Sequence, residues 1–287
     1  MIHDIAACDG RNWLQRKFVW FWDDNLTGSI GYAKELFQKL RPLRKWWWAQ
    51  CSIDAAQDPD LLRLAANSGC LAVFIGIETF SADNLLQIRK RQNRVDRYRK
   101  AIQAFHNVGI AVHAGIIVGL DSDTEENIRI IPEIVESLGI DLPFLNVLTP
   151  FPGTPLHVQI RDEGRLLSFE WEHYNGADVT FFPLGMTPQA LENAYWDVHH
   201  QFYSIGCTVR RIWNTAWYTR LPSLVLNAYA NAFFGIQNLI SPDRPYPLEK
   251  KKSYSCLTFN CADRFADGHP PSANLFTPYL NSHITAP

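Results

Sequence analysis

Carboxylates, amides and hydroxyls recur at five points in this chain where an apolar run gives out. Asp23, Asp24 and Asn25 follow the first run, Gln50 and Ser52 the second, and Glu78 and Thr79 the third. Gly119 and Asp121 follow the fourth, and Asn146 and Thr149 the fifth. Any one of these groups has a local explanation, since strand ends and helix N-caps favour Asp, Ser and Asn. Five in succession point to a shared ligand site, because parallel sheets bind ligands at the carboxyl ends of their strands. Carboxylates such as Asp23, Asp24 and Glu78 suit an ammonium or the hydroxyls of a ribose. The stretch Gly115–Asp121, GIIVGLD, has glycines four apart, where a planar group could approach the backbone closely.

Other reactive side chains read as structural. His199 and His200 are neighbours within an expected helix and face different directions, so they do not chelate one metal together. His113 lies inside an expected strand and reads as packed. Asp121 and Asp123 precede a helix, where capping competes with a ligand role. Trp46, Trp47 and Trp48 read as core filling before a stacking platform. Arg89, Lys90, Arg91, Arg94, Arg97, Arg99 and Lys100 form a basic run, read as a solvated helix face. The six cysteines, Cys8, Cys51, Cys70, Cys207, Cys256 and Cys261, are scattered, which fits reduced thiols in a cytoplasmic protein. Cys256 and Cys261 lie close together, but with no second pair nearby they are a weak metal signal. No residue is assigned a catalytic role or a place as a metal ligand.

The composition bounds the partners. The 287 residues are 47% hydrophobic and 20% charged, as in a globular protein. A formal net charge of -2 gives no basic excess to drive nucleic-acid binding. The first ten residues, MIHDIAACDG, lack the basic and apolar regions of a signal peptide. The stretch from Leu221 to Ile240 is apolar but contains Pro222, Ser223, Asn227, Asn231, Gln237 and Asn238, which argues against a membrane span. Within it Ser223, Asn227, Asn231 and Gly235 recur every fourth residue, so a small, polar stripe marks one side of the helix. Packing on protein is the expected role of that helix, with peripheral membrane contact as the lesser alternative.

The apolar runs that carry the polar ends are Phe18–Trp22, Trp46–Ala49, Leu71–Ile77, Ile110–Val118 and Phe144–Leu148. They are short and nearly continuous, as parallel strands covered on both faces are. Helices are expected between them. One starts at Ser29 and stops before Pro42. One is opened by Asp58-Pro59 and closed by Gly69. One runs from Val95 to Val108, and one from near Asp123 to Gly139. The alternation predicts an α/β fold with a parallel sheet. Thr187-Pro188 opens a further helix, and two more are expected at 208–219 and 222–240. The domains are therefore 1–157, a partial (β/α) barrel; 158–240, a mainly helical region; and 241–287, a loosely ordered tail.

At this point the residues resemble a family. FWDDN (Phe21–Asn25), GIET (Gly76–Thr79), GIIVGLDSDTEE (Gly115–Glu126) and LTPFPGTPLH (Leu148–His157) are similar in order and spacing to segments of cobalamin-associated radical S-adenosylmethionine (SAM) enzymes. EGR (Glu163–Arg165), then Trp171 and Tyr174, continues the likeness, which covers about residues 15–205. The resemblance implies a barrel of the radical SAM type that lacks its first strand here. It implies SAM as cofactor, a [4Fe–4S] cluster, and cobalamin only through an upstream domain that this chain does not contain. The implied chemistry is reductive cleavage of SAM to a 5′-deoxyadenosyl radical for methyl transfer or rearrangement. The implied SAM contacts are Asp23, Asp24, Asn25, Gln50, Ser52, Glu78, Thr79, Gly115, Ile117, Gly119, Asp121 and Thr149. The family's Cys-x3-Cys-x2-Cys motif is absent from this chain. The absence implies either a copy truncated before or at the first barrel strand, the simpler view, or a separate chain that supplies the cluster. The chain is accordingly a radical SAM core fragment, or else an inactive truncated remnant or partner subunit. The substrate is not legible.

Overall fold

The computed structural model describes residues 2–7 and 12–240. Cys8, Cys256, Cys261 and the expected tail at 241–287 lie outside the described residues. Two short helices, α1 (Ile2–Ala7) and α2 (Trp13–Lys17), precede strand β1 (Phe18–Phe21). There follow α3 (Ile30–Leu40), β2 (Trp46–Gln50), α4 (Pro59–Asn67), β3 (Cys70–Glu78), α5 (Ala82–Gln87) and α6 (Tyr98–His106). Then come β4 (Ala111–Val118), α7 (Glu125–Arg129), α8 (Ile131–Leu138), β5 (Leu142–Val147) and α9 (Pro155–Asp162). Helices α10 (Pro188–Phe202), α11 (Ile205–Ala216) and α12 (Leu221–Ile240) complete the described chain.

The five strands form one parallel sheet in the order β1-β2-β3-β4-β5. Sequential order with right-handed crossovers keeps every connecting helix on the same face, which is how a barrel winds. The packing agrees. Val73, Ile75 and Ile77 of β3 share a core with Leu36 and Phe37 of α3, Leu61 and Leu62 of α4, and Ile102 and Phe105 of α6. Alternation along the strands turns Trp48, Ala72 and Ala111 to the other face, where Phe18, Phe74 and Leu226 of α12 cover them. The sheet is therefore clad on both sides, which explains why its strands read as unbroken apolar runs.

Local chemistry sets most helix ends. Asp58 caps α4 through Asp60 N and Leu61 N, with Pro59 at the first turn. Gly69 has φ 101, and a side chain there would collide with the Lys45 carbonyl. The helix expected from Asp123 departs from expectation. Thr124 is its cap, and the helix breaks at Ile130 into α7 and α8. Pro132 lacks the N–H that would continue the ladder of α7. Between Val95 and Val108 a short 3₁₀ turn (Val95–Arg97) precedes α6. Helices α5 and α9 were not expected from the periodicity.

Helix α12 buries the side that the sequence marked as polar. Ser223 Oγ donates to the Leu71 carbonyl at 2.8 Å, and Asn231 Nδ2 donates to the Asp141 carbonyl at 3.0 Å. Asn227 Oδ1 lies 2.8 Å from His113 Nε2, and Trp48 Nε1 donates to His113 Nδ1 at 3.1 Å. His113 is thus packed as expected, held neutral by burial, which lowers its pKa. Among the described residues no helix is long and apolar enough to cross a membrane.

Candidate functional site

The carboxyl ends of β1, β2 and β3 close around a cavity of about 210 Å³. Asp24, Asn25, Gln50, Ser52 and Glu78 all line it, so five of the sequence-derived residues come together. Asn25 acts there as a staple. Its Oδ1 accepts from Thr27 Oγ1 at 3.0 Å, Thr27 N at 3.2 Å and Ser52 N at 3.0 Å, tying the tip of β1 to that of β2. Leu26 N donates to the Gln50 carbonyl at 2.9 Å and reinforces the same join. Asp23 stands beside this turn, exposed, with Oδ1 accepting from Asn25 N at 2.9 Å.

Glu78 is the unusual residue. It ends β3 at φ 68, in the left-handed region, beside a register shift in the β3–β4 pairing. A non-glycine residue held there is strained, and the surroundings must hold it. Asn93 Nδ2 donates to the carbonyls of Gly76 and Ile77, each at 2.8 Å. The Tyr98 hydroxyl lies 3.2 Å from the carbonyls of Ile77 and Thr79. These contacts hold the turn that aims the Glu78 carboxylate back over Gly76, where a Cβ would strike it. The Lys90 ammonium pairs with that carboxylate, and both side chains are largely shielded from solvent.

Lys90, Asn93 and Tyr98 were missed as site residues. Lys90 lay in the basic run and Tyr98 in the apolar side of a helix, and neither pattern reveals which way a side chain is carried by the intervening turn. Asn93 gave no sequence signal.

The remaining residues spread along the rim. Asp121 lines a second cavity, of about 440 Å³, with Gln87, Leu120, Leu148 and Arg165. It is fixed by Arg165 Nη2 at 2.9 Å and by the Gln87 amide. The neighbouring Asp123 is buried and locks the turn after β4, accepting from Gly119 N at 2.9 Å, Leu120 N at 3.0 Å and Asn84 Nδ2 at 2.6 Å. Burial pushes its carboxyl pKa up. Gly119, at φ 93, abuts Leu191, and Gly115 faces the Phe74 ring, which would lie 2.6 Å from a Cβ there. The space over Gly115 is therefore filled by Phe74, itself a lining residue of the first cavity. Ile117 is half-buried, on the same face as Gly115 by strand alternation. Thr79 is buried, its hydroxyl accepting from Ser81 N, and the Thr149 hydroxyl donates to the Val147 carbonyl at 2.9 Å. Gly119, Thr79 and Thr149 are thus engaged by the protein, and the structure does not bring them to the first cavity.

The described thiols do not form a cluster site. Cys51 follows β2, Cys70 opens β3 and Cys207 lies on α11. Burial pushes the Cys51 thiol up to about 12 and raises that of Cys70 as well, against the thiolate that iron requires. Among the described residues the group that brings three potential metal-ligand side chains within reach of one ion is Glu170, Glu172 and His173. Its oxygen and imidazole donors do not suit an iron–sulfur cluster.

Comparison with known proteins agrees with this geometry. Residues 14–132 match the model of the radical SAM superfamily. Bacteriochlorophyllide d C-12(1)-methyltransferase of Chlorobaculum tepidum is 29% identical over 192 residues, covering 67% of this chain and 42% of that protein. Hopanoid C-2 methylase of Rhodopseudomonas palustris is 30% identical over 158 residues, covering 53% of this chain and 30% of that one. An anaerobic magnesium-protoporphyrin IX monomethyl ester cyclase of Cereibacter sphaeroides is 24% identical over 180 residues, or 62% and 29% of the two chains. A solved structure of the radical SAM methyltransferase TsrM from Kitasatospora setae, with cobalamin and a [4Fe–4S] cluster bound, gives a TM-score of 0.49 at 16% identity. It covers 68% of this chain and 39% of that one. Residues 14–132 thus match the radical SAM superfamily, and the chain is similar to methyltransferases and a cyclase. It spans less than half the length of these relatives.

Proposed function

We propose that this chain is the SAM-holding part of a radical SAM enzyme, and that the first cavity receives the amino-acid end of SAM. The carrying observation is the polarity of that cavity. Asp24 and Glu78 offer acceptors for an ammonium, and Lys90 offers a donor for a carboxylate, within one space of about 210 Å³. Charge-assisted bonds of both signs match a zwitterion and neither a plain sugar nor a phosphate. The nucleoside would extend along the rim toward the end of β4, where Ile117 and Asp121 stand.

The family's reductive cleavage of SAM needs a cluster, and the described thiols do not hold one. We therefore assign this chain binding and orientation of SAM. The three-cysteine strand would be supplied from outside the described residues, pairing with β1, which among them has β2 as its strand partner. Cobalamin, methyl transfer or ring formation on an apolar substrate would enter with that larger assembly, by analogy with the relatives. The thiol placement equally suits a partner subunit that binds SAM without activity of its own.

Calorimetric titration of the full chain with SAM tests the assignment. Binding is expected for the parent protein, weakened at least about tenfold in Glu78→Gln and Asp24→Asn, where a charge-assisted bond is lost. No heat with SAM, or equal affinity in both variants, would remove the site. Titration with an added polypeptide carrying Cys-x3-Cys-x2-Cys, after anaerobic iron and sulfide reconstitution, separates the active assembly from the silent subunit.

A further inference from the structure

Helices α11 and α12 turn apolar side chains outward. Val209 and Trp213 on α11, Trp217 at its end, and Val225, Tyr229 and Phe233 on α12 are all exposed, and within each helix they fall four residues apart. Trp213 is 65%, Trp217 76% and Tyr229 70% exposed. The side of α12 that faces the protein is polar and hydrogen-bonded, so the helix is amphipathic in the inverse sense. Its polar stripe is needed against the sheet, which leaves the apolar side uncovered among the described residues. Exposed apolar surface of this extent on two packed helices marks a site of association.

We propose that this face is the contact between two copies of the chain. Covering these six side chains and their apolar neighbours removes on the order of 800 Å² from each copy, about what a stable interface takes from each partner. Both helices carry rows with a four-residue period. Such rows interdigitate with their own kind at about -50°, so two identical hairpins pair about a two-fold axis. The charges disfavour a lipid surface. Helix α12 has no Asp, Glu, Lys or Arg. Arg210 is tied to Glu136 of α8, Arg211 is buried, and Arg220 donates to the carbonyls of Ala66 and Cys70. A surface helix that binds anionic lipid presents basic residues, and among the described residues this face presents none that are free for that purpose. A second copy requires no charge complement.

Sedimentation equilibrium of the full chain tests the interface. The expected mass is twice 32.9 kDa at concentrations of about 50 µM. Trp213→Glu and Tyr229→Glu are each expected to raise the dimer dissociation constant at least about tenfold, as loss of a central aromatic does. Because both side chains are exposed, the circular dichroism spectrum is expected to stay as in the parent. Val225→Cys, which changes size little, provides a second readout: disulfide-linked dimer beyond the parent's background on mild oxidation. A monomeric parent overturns the proposal. So does a dimer that survives both charge variants, or one that gives no added cross-link at position 225. Co-sedimentation of a monomeric parent with anionic vesicles also overturns it, in favour of a lipid surface.

Discussion

Glu78 concentrates the physics of this protein in one residue, since its carboxylate is useful only because its backbone is strained. A non-glycine residue in the left-handed region costs roughly 1 kcal/mol, and glycine removes that cost. Glu78→Ala and Glu78→Gly both delete the carboxylate and its pair with Lys90. Only the second relieves the backbone. Glu78→Gly is therefore expected to be the more stable of the two by about 1 kcal/mol in urea unfolding, with neither binding SAM. The reverse order would mean that the φ of 68 carries no strain. Glu78 was legible in the sequence as an acid at a strand end. Its strain was not, because Asn93 and Tyr98 impose it from a turn and helix further along the chain. His199 offers a second prediction at this scale. It packs among Tyr195, Trp196, His200 and Tyr203, and its buried Nδ1 has no partner. Burial, and then the neighbouring His200, lower its pKa from 6.5 to about 4. Below pH 6.5 the unfolded chain takes up a proton that the native chain refuses, so stability is full above 6.5 and falls toward pH 4. The loss is on the order of 3 kcal/mol. His199→Phe is expected to flatten this part of the pH–stability curve. An unchanged slope would show that His199 is protonated in the native protein at little cost.

Helix α12 shows what an element can demand of its neighbours. The four-residue polar stripe was visible in the sequence, and packing on protein was expected of it. What it packs against was not visible, because its partners, the start of β3, the middle of β4 and the start of β5, are more than eighty residues away in the chain. Asn227 is the central contact. It faces His113 Nε2, while Trp48 donates to the other ring nitrogen, so the network fixes one neutral tautomer in a buried place. Asn227→Ala would leave the Nε2–H without an acceptor. The expected cost is about 1–3 kcal/mol, read as a lower urea midpoint at unchanged slope. A substitution to Leu in place of Ala is expected to cost no less, since filling the space does not restore the acceptor. If either variant matches the parent, the contact is ornamental and α12 is held by the Ser223 and Asn231 bonds and by apolar packing around Leu226. The strands themselves were legible to within two residues or so, because burial on both faces makes them continuous apolar runs. Helices α5 and α9 escaped notice for the opposite reason: they are short and carry weak periodicity.

At the scale of the whole molecule, the sheet has unequal edges. Strands β3 and β4 each pair on both sides, and the segment around Gly176 meets β5, where Val147 N donates to the Gly176 carbonyl at 2.7 Å. Among the described residues β1 pairs with β2 alone. In a parallel strand alternate amides point to opposite sides, so half of those in β1 point away from β2. Trp20 and Trp22 stack beside that edge at 5.2 Å and are 50% and 80% exposed. Such an edge is a template for another strand, which is the position the proposed cluster-bearing segment would take. Hydrogen exchange distinguishes an open edge from a filled one. Amides of β3 and β4 are expected to exchange only through global unfolding. The outward amides of Phe18–Phe21 are expected to exchange at least about a hundredfold faster, through local opening that leaves the sheet intact. Addition of a polypeptide that completes the barrel should slow these β1 amides and leave those of β4 unchanged. Protection of β1 equal to that of β4 in the chain alone would mean that the edge is already covered, and the reading of this protein as the receiving half of a larger barrel would fail.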